Sequence, residues 1–140
     1  AYDAWSRDLR EAAMSPREFE LLHEGLLPTV AVSRAAAGRF LGAIARALPP
    51  EITEHIEAAA RCYEEIHQLS PTGEVWGTGL FPEVAECLLI DDLPDRGLYE
   101  NAEVRTRAAE LLLEIRDKEA EAVEHIRSLP EKWRRAGGGS

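Results

Sequence analysis

Residues 101–129 read NAEVRTRAAELLLEIRDKEAEAVEHIRSL, and this stretch carries the clearest secondary-structure pattern in the chain. Its apolar residues recur every three or four positions, as they do on one face of an α-helix. On the opposite face, Glu114 and Lys118 form an i,i+4 pair of opposite charge. The stretch therefore predicts one long amphipathic helix from about Asn101 to Ser128, with an apolar stripe of Val104, Ala108, Leu111, Leu112, Ile115, Ala122, Ile126 and Leu129.

Helical periodicity also extends through most of the remaining sequence, and strand patterns are nearly absent. The further helices that it predicts lie at residues 2–13, at residues 29–48, directly after Pro49-Pro50, and at residues 82–90. Ser15, Pro16 and Glu18 predict one more helix start, because this combination of residues favours a capped N-terminus. Loops rich in glycine, proline or aspartate are predicted at residues 70–80 and 91–97. Five or six helices with short connections predict an all-α class, a single-domain bundle over residues 1–136.

The two ends of the sequence suggest a piece of a longer protein. The chain starts at Ala1 inside a helical pattern, and Gly137 to Ser140 are typical of an engineered Gly/Ser linker. The sequence shows neither a signal peptide nor the roughly 20 consecutive apolar residues of a membrane span. We therefore expect a cytoplasmic domain without a membrane partner.

The net charge of −10 comes from one part of the chain. Residues 51–100 hold twelve acidic residues against Arg61 and Arg96, whereas the segments before and after them are each neutral. A nucleic-acid-binding domain would show a basic stripe or arm, and an anionic membrane surface would need a basic cluster. The composition therefore predicts no nucleic-acid partner, and the acidic segment is interpreted as a solvated surface.

Several polar residues occupy positions on predicted apolar stripes. Arg34 follows Val30 by four positions, and Glu119 follows Ile115 by four, so both are predicted to point towards the core. Because a lone buried charge costs several kcal/mol, we expect Arg34 and Glu119 to pair across the interior. Three further polar residues share this kind of position, namely Tyr63, His67 and His23.

These five residues allow three interpretations. In the first, they are satisfied core groups with no ligand. In the second, they line a polar cavity that holds a small anionic ligand, since an arginine side chain binds carboxylate or phosphate with two parallel hydrogen bonds. The third is a metal-binding, ferritin-like bundle, because Glu20-x-x-His23 and Glu64-x-x-His67 have the spacing used by di-iron proteins. Against the third, Glu64 belongs to the polar face of its helix, so the sequence predicts neither a metal nor another cofactor.

Motifs for catalysis are missing from the sequence. It has no GxSxG, P-loop or GxGxxG motif, and no CxxC pair for zinc. Cys62 and Cys87 are interpreted as two buried thiols, although a disulfide between them is also compatible with the sequence. Cys62 and His67 are too far apart around one helix to form a thiolate–imidazolium pair. The chain is therefore predicted to be a binding or accessory domain, with a neighbouring domain or a second copy as its protein partner.

Single positions spread over most of residues 1–129 resemble a known family. They are Ala1-Tyr2-Asp3-Ala4-Trp5 with Leu9, Arg34 leading into Phe40-Leu41, Ala58-Ala59-Ala60-Arg61-Cys62-Tyr63, and the stretch 108–119 with Glu119. Together they are similar to the helical region that follows the papain-like half of butirosin-biosynthesis-H-like, cysteine-peptidase-like bacterial proteins. The resemblance implies that Arg34, Tyr63 and Glu119 recur in the interior of such regions. It also implies that the catalytic Cys/His half lies outside this chain, so no peptidase or acyltransferase activity is carried over.

Overall fold

The computed structural model describes residues 1–22, 27–69, 100, 102–135 and 137, and this part of the chain is helical with no strand. Its five helices are α1 (Tyr2–Arg10), α2 (Pro16–Glu20), α3 (Leu27–Ala45), α4 (Pro50–Leu69) and α5 (Ala102–Arg135). The predicted all-α, single-domain class is confirmed. The helix predicted at residues 82–90 and the loops predicted at 70–80 and 91–97 lie outside the described residues, as does Cys87.

Helix α3 packs on α4, α4 packs on α5, and the short α1 packs on α5. Neighbouring helices are antiparallel: between α4 and α5, His55 lies beside His125 and Glu65 pairs with Lys118. Between α1 and α5, Asp3 pairs with Arg116 and Ser6 Oγ donates to Ala109 O. The largest buried cluster joins α1, α2, α4 and α5 through Leu9, Met14, Phe19, Leu22, Ile66, Ala108, Ala109, Leu111, Leu112 and Ile115. Most of the stripe predicted for α5 is buried, since only Ile126 and Leu129 of its described side chains are half-buried. The side chain of Val104 is not described.

The first helix ends earlier than its periodicity predicts. Ala12 adopts a left-handed backbone conformation with φ of 52°, and Ala13 N donates to Asp8 O at 2.8 Å. Together with the bond from Ala12 N to Leu9 O, these contacts form a Schellman cap, a position where glycine is usual. The sequence has alanine at this position, so it does not predict the end of this helix. The N-terminus of α2, by contrast, has the predicted capping box between Ser15 and Glu18.

The last helix also differs from its prediction, since α5 continues to Arg135 through Pro130. Proline lacks a backbone N–H and normally ends or kinks a helix. Beyond Pro130, Arg135 forms an ion pair with Glu131, and Arg134 Nε donates to Pro130 O at 3.2 Å. Basic side chains near a helix C-terminus are also favoured by the helix dipole.

Helix α3 contacts α4 through its smallest residues. Ala31, Ala35, Gly38 and Ala45 are buried, whereas the stripe predicted for this helix, Val30, Ala37, Leu41, Ile44 and Leu48, is only half-buried. A Cβ atom placed on Gly38 would lie 3.2 Å from the carbonyl oxygen of Ala60 on α4. The predicted stripe is therefore displaced around the helix, because backbones approach closely only where side chains are small.

The two glycines of α3 make this packing testable. Gly42 has open space at its Cβ position, so G42V is expected to raise the free energy of unfolding by about 0.5 kcal/mol through helix propensity. G38V introduces the same side chain against the α4 backbone and is expected to lower it by about 1–3 kcal/mol. Urea unfolding monitored by circular dichroism measures both values. Equal effects at the two positions would contradict the close contact.

Candidate functional site

Arg34 and Glu119 meet where α3 passes α5. Arg34 Nε donates a hydrogen bond to Glu119 Oε1, so the predicted pair is confirmed. The Arg34 and Glu119 side chains retain 32% and 21% of their exposure, respectively. The pair is thus half-buried rather than enclosed in the core.

Two tyrosines complete this group, which we call the polar cluster: Tyr2, Arg34, Tyr63 and Glu119. The guanidinium carbon of Arg34 lies 6.0 Å from the centre of the Tyr63 ring, at the outer range of a cation–π contact. Tyr2 interacts electrostatically with both Arg34 and Glu119. The polar cluster therefore takes one residue from each of α1, α3, α4 and α5.

The charges of Arg34 and Glu119 influence the pKa values of Tyr2 and Arg34. The pKa of Tyr2 is raised chiefly by burial and then by the negative charge of Glu119, while Arg34 opposes the shift. Burial alone would lower the pKa of Arg34, but its hydrogen bond with Glu119 and the charge of that carboxylate raise it overall. At neutral pH the cluster therefore contains a neutral Tyr2 beside a cationic Arg34.

The small anionic ligand predicted for these residues would have to share Arg34 with Glu119. Nη1 of Arg34 lies 3.4 Å from Ser33 Oγ, and Nε is already taken by the carboxylate. A second anion would approach Glu119 as well as Arg34, and two like charges at this distance repel each other. The geometry favours a helix-joining role for the pair, and the anionic ligand stays a prediction.

The histidines predicted for the site are not drawn into the polar cluster by any described contact. His67 is half-buried, and its Nδ1 atom is buried without a hydrogen-bond partner in the described structure. His23 lies outside the described residues, and so does the side chain of Glu20. Glu64 is exposed on α4, as its polar position predicts. Among the described residues, no three histidine, cysteine or carboxylate side chains are grouped to hold a metal ion.

Cys62 is buried and free, as predicted. Burial raises the pKa of its thiol, and the neighbouring carboxylates of Glu121 and Glu65 raise it further. Because the reactive species is the thiolate, these surroundings disfavour a nucleophilic role.

The outer face of α3 consists of Val32, Ala36, Arg39, Phe40 and Ala43, all of which are exposed. Phe40 and Val32 retain 65% and 62% of their exposure, respectively. Helices that are apolar all round are normally buried on every side. Among the described residues no helix covers this face. The stripe predicted for α3 did not identify it, because apolar residues occur on all sides of this helix.

A second apolar surface lies where α4 begins and α5 ends. It is a shallow groove of about 600 Å³ lined by Leu48, Ile52, Ile56, Ile126, Leu129, Pro130, Trp133 and Arg134. The extension of α5 beyond Pro130 builds one wall of this groove. No described helix is both long and apolar enough to cross a membrane.

No protein-family model, curated protein or solved structure matches this chain. The resemblance to the helical region of butirosin-biosynthesis-H-like proteins therefore stays a prediction.

A double-mutant cycle tests the joining role of Arg34 and Glu119. E119L alone leaves Arg34 half-buried without its carboxylate and is expected to cost about 1–2 kcal/mol of unfolding free energy. R34M with E119L removes both charges and should cost less than the sum of the two single changes, by about 1 kcal/mol. Chemical denaturation measures the coupling, and the exposed pair Glu131–Arg135 is the control, with an expected coupling below about 0.5 kcal/mol. Additive effects of R34M and E119L would contradict the role.

Tyr2 predicts a dependence of stability on alkaline pH. Its raised pKa means that the folded protein keeps the phenol proton at a pH where the unfolded chain has lost it. This contribution to stability is complete below about pH 10 and is lost as the pH rises through the folded-state pKa. Wild type is therefore expected to lose more unfolding free energy between pH 8 and pH 11 than Y2F, by less than about 1 kcal/mol because the side chain is half-exposed. Urea unfolding at the two pH values provides the comparison, and an equal loss in Y2F would contradict the prediction.

Proposed function

We propose that this chain is a non-catalytic helical accessory domain that binds a partner protein surface on the outer face of α3. The observation that carries the proposal is the exposure of Phe40 and Val32 on a face of α3 that no described helix covers. Fully burying side chains of this size contributes about 1.5–3 kcal/mol each, and most of that gain is not realised by contacts among the described residues. Exposed apolar patches of this kind often mark sites of protein–protein interaction.

The charges on α3 indicate the chemistry of the partner. Residues 27–48 contain Arg34, Arg39 and Arg46 and no acidic residue, although the whole chain has a net charge of −10. Arg34 is neutralised by Glu119, whereas Arg39 and Arg46 are exposed. A partner surface that combines apolar side chains with carboxylates matches this face, since complementary charge favours encounter and orientation. The resemblance described above would make a neighbouring catalytic domain one source of such a surface.

A photo-crosslinking amino acid at position 40 tests the proposal in the cells that make the protein. We expect a cross-link from position 40 and none from position 57, where Glu57 is exposed on α4. The cross-linked segment should carry an excess of carboxylates, and R39E with R46E should lower the yield about tenfold. A segment without carboxylates, a second copy of this chain, or equal cross-linking from position 57 would contradict the proposal.

A stability measurement keeps the result interpretable. F40S is expected to change the unfolding free energy by less than about 0.5 kcal/mol, because Phe40 is largely exposed. L112A, which truncates a fully buried side chain of α5, should lower it by about 2–5 kcal/mol. A loss for F40S as large as that for L112A would show that Phe40 serves the core instead of a partner.

A further inference from the structure

His55 of α4 and His125 of α5 face each other across the contact between these two helices. Their Nδ1 atoms are 3.3 Å apart, and their ring centroids are 5.6 Å apart with an angle of 46° between the planes. Both rings are half-buried, and the His125 side chain retains 28% of its exposure. This nitrogen–nitrogen distance is that of a hydrogen bond in which one ring donates its Nδ1–H to the other, and both side chains are partly open to solvent.

The separation of the two nitrogens matches a metal-binding geometry. Nitrogen atoms bound to zinc at 2.0–2.1 Å in a tetrahedral arrangement are about 3.3–3.4 Å from each other. Since the centroid separation exceeds the nitrogen separation by about two ring radii, the rings point almost directly at each other, as they do in an N–H···N hydrogen bond. To bind one ion in tetrahedral geometry, the shared proton must leave and each ring must turn by about 35°, so that both lone pairs meet at an ion beside the line between the nitrogens.

A carboxylate lies near the second ring nitrogen of His125. Glu121, one turn earlier on α5, places Oε1 3.9 Å from Nε2 of His125, on the side of the ring away from His55. At 3.9 Å this contact is longer than a hydrogen bond, but the carboxylate is near enough for a rotation of the ring to bring Nε2–H onto it and leave Nδ1 available to a metal ion. Carboxylates in this position commonly orient histidines that bind metals.

We propose that His55 and His125 bind one divalent transition-metal ion through their Nδ1 atoms and thereby clamp α4 to α5. Imidazole is a suitable ligand for Zn²⁺, Ni²⁺ and Cu²⁺, and a poor one for Mg²⁺, which requires oxygen ligands. Two protein ligands with water in the remaining positions form a weak site, with a dissociation constant of about 1–100 µM. The proposed site is separate from the Glu64–His67 pattern of the sequence and from the outer face of α3.

Thermal unfolding of the full chain with about 1 mM Ni²⁺ tests the clamp. At pH 7.5 the melting temperature of the wild type is expected to rise by about 3–10 °C over its metal-free value. H67A, which removes another half-buried histidine of α4, is the matched control and should show the same rise. H55A and H125A should each rise by less than about 1 °C, and Mg²⁺ should have no effect on any of the proteins.

Several results would overturn the proposal. They are the absence of a rise in wild type at pH 7.5, an unchanged rise in H55A or H125A, and a rise that is lost in H67A alone. Nuclear magnetic resonance of the wild type tests the site without depending on the folding of a variant. Substoichiometric Cu²⁺ is expected to broaden the ring signals of His55 and His125 before those of His67, and the reverse order would also overturn the proposal.

Discussion

The close approach of α3 to α4 at Gly38 is the constraint on which much of the remaining structure depends. With a Cβ position only 3.2 Å from the Ala60 carbonyl oxygen, the two backbones come this near only because Gly38 has no side chain. The other buried residues on this face of α3 are alanines. Since the small residues are used for this contact, the larger Val32 and Phe40 must lie on the far side of the helix. The uncovered outer face is therefore a direct consequence of how α3 packs.

The same approach positions the polar cluster. Arg34 lies one turn before Gly38 and at the border of the α4 contact, so its side chain reaches past Tyr63 to Glu119 on α5. A charged pair at this depth stabilises a bundle mainly by penalising arrangements that separate the two charges, because either charge alone would be costly to bury. The cluster thus specifies how α1, α3, α4 and α5 are arranged, while the apolar surfaces of α3 and of the groove remain available for contacts.

The sequence predicted part of this site for sound physical reasons. The spacings of Arg34 and Glu119 put two opposite charges on apolar stripes, and mutual pairing is the least costly way to place them there. The sequence did not predict Tyr2 in this cluster, because its electrostatic interaction with Glu119 is made 117 residues further along the chain. His55 and His125 adjoin polar faces of their own helices and gain significance only where the two faces meet. The position of His23 relative to this cluster lies outside the described residues.

The sequence by itself determined the all-α class, the capping box of α2 and most of the apolar stripe of α5, because these features depend on interactions between residues close together in the chain. The tertiary structure decided which face of α3 is buried. Apolar residues occur on all sides of this helix, and the buried side is the one whose small residues let the α4 backbone approach closely. It also decided where α1 and α5 end. Alanine rarely adopts the left-handed conformation of Ala12, and proline normally ends or kinks a helix, so neither helix end follows from the residue type alone. Contacts between distant segments, such as Arg34 with Glu119 and His55 with His125, are likewise made only when the helices pack together.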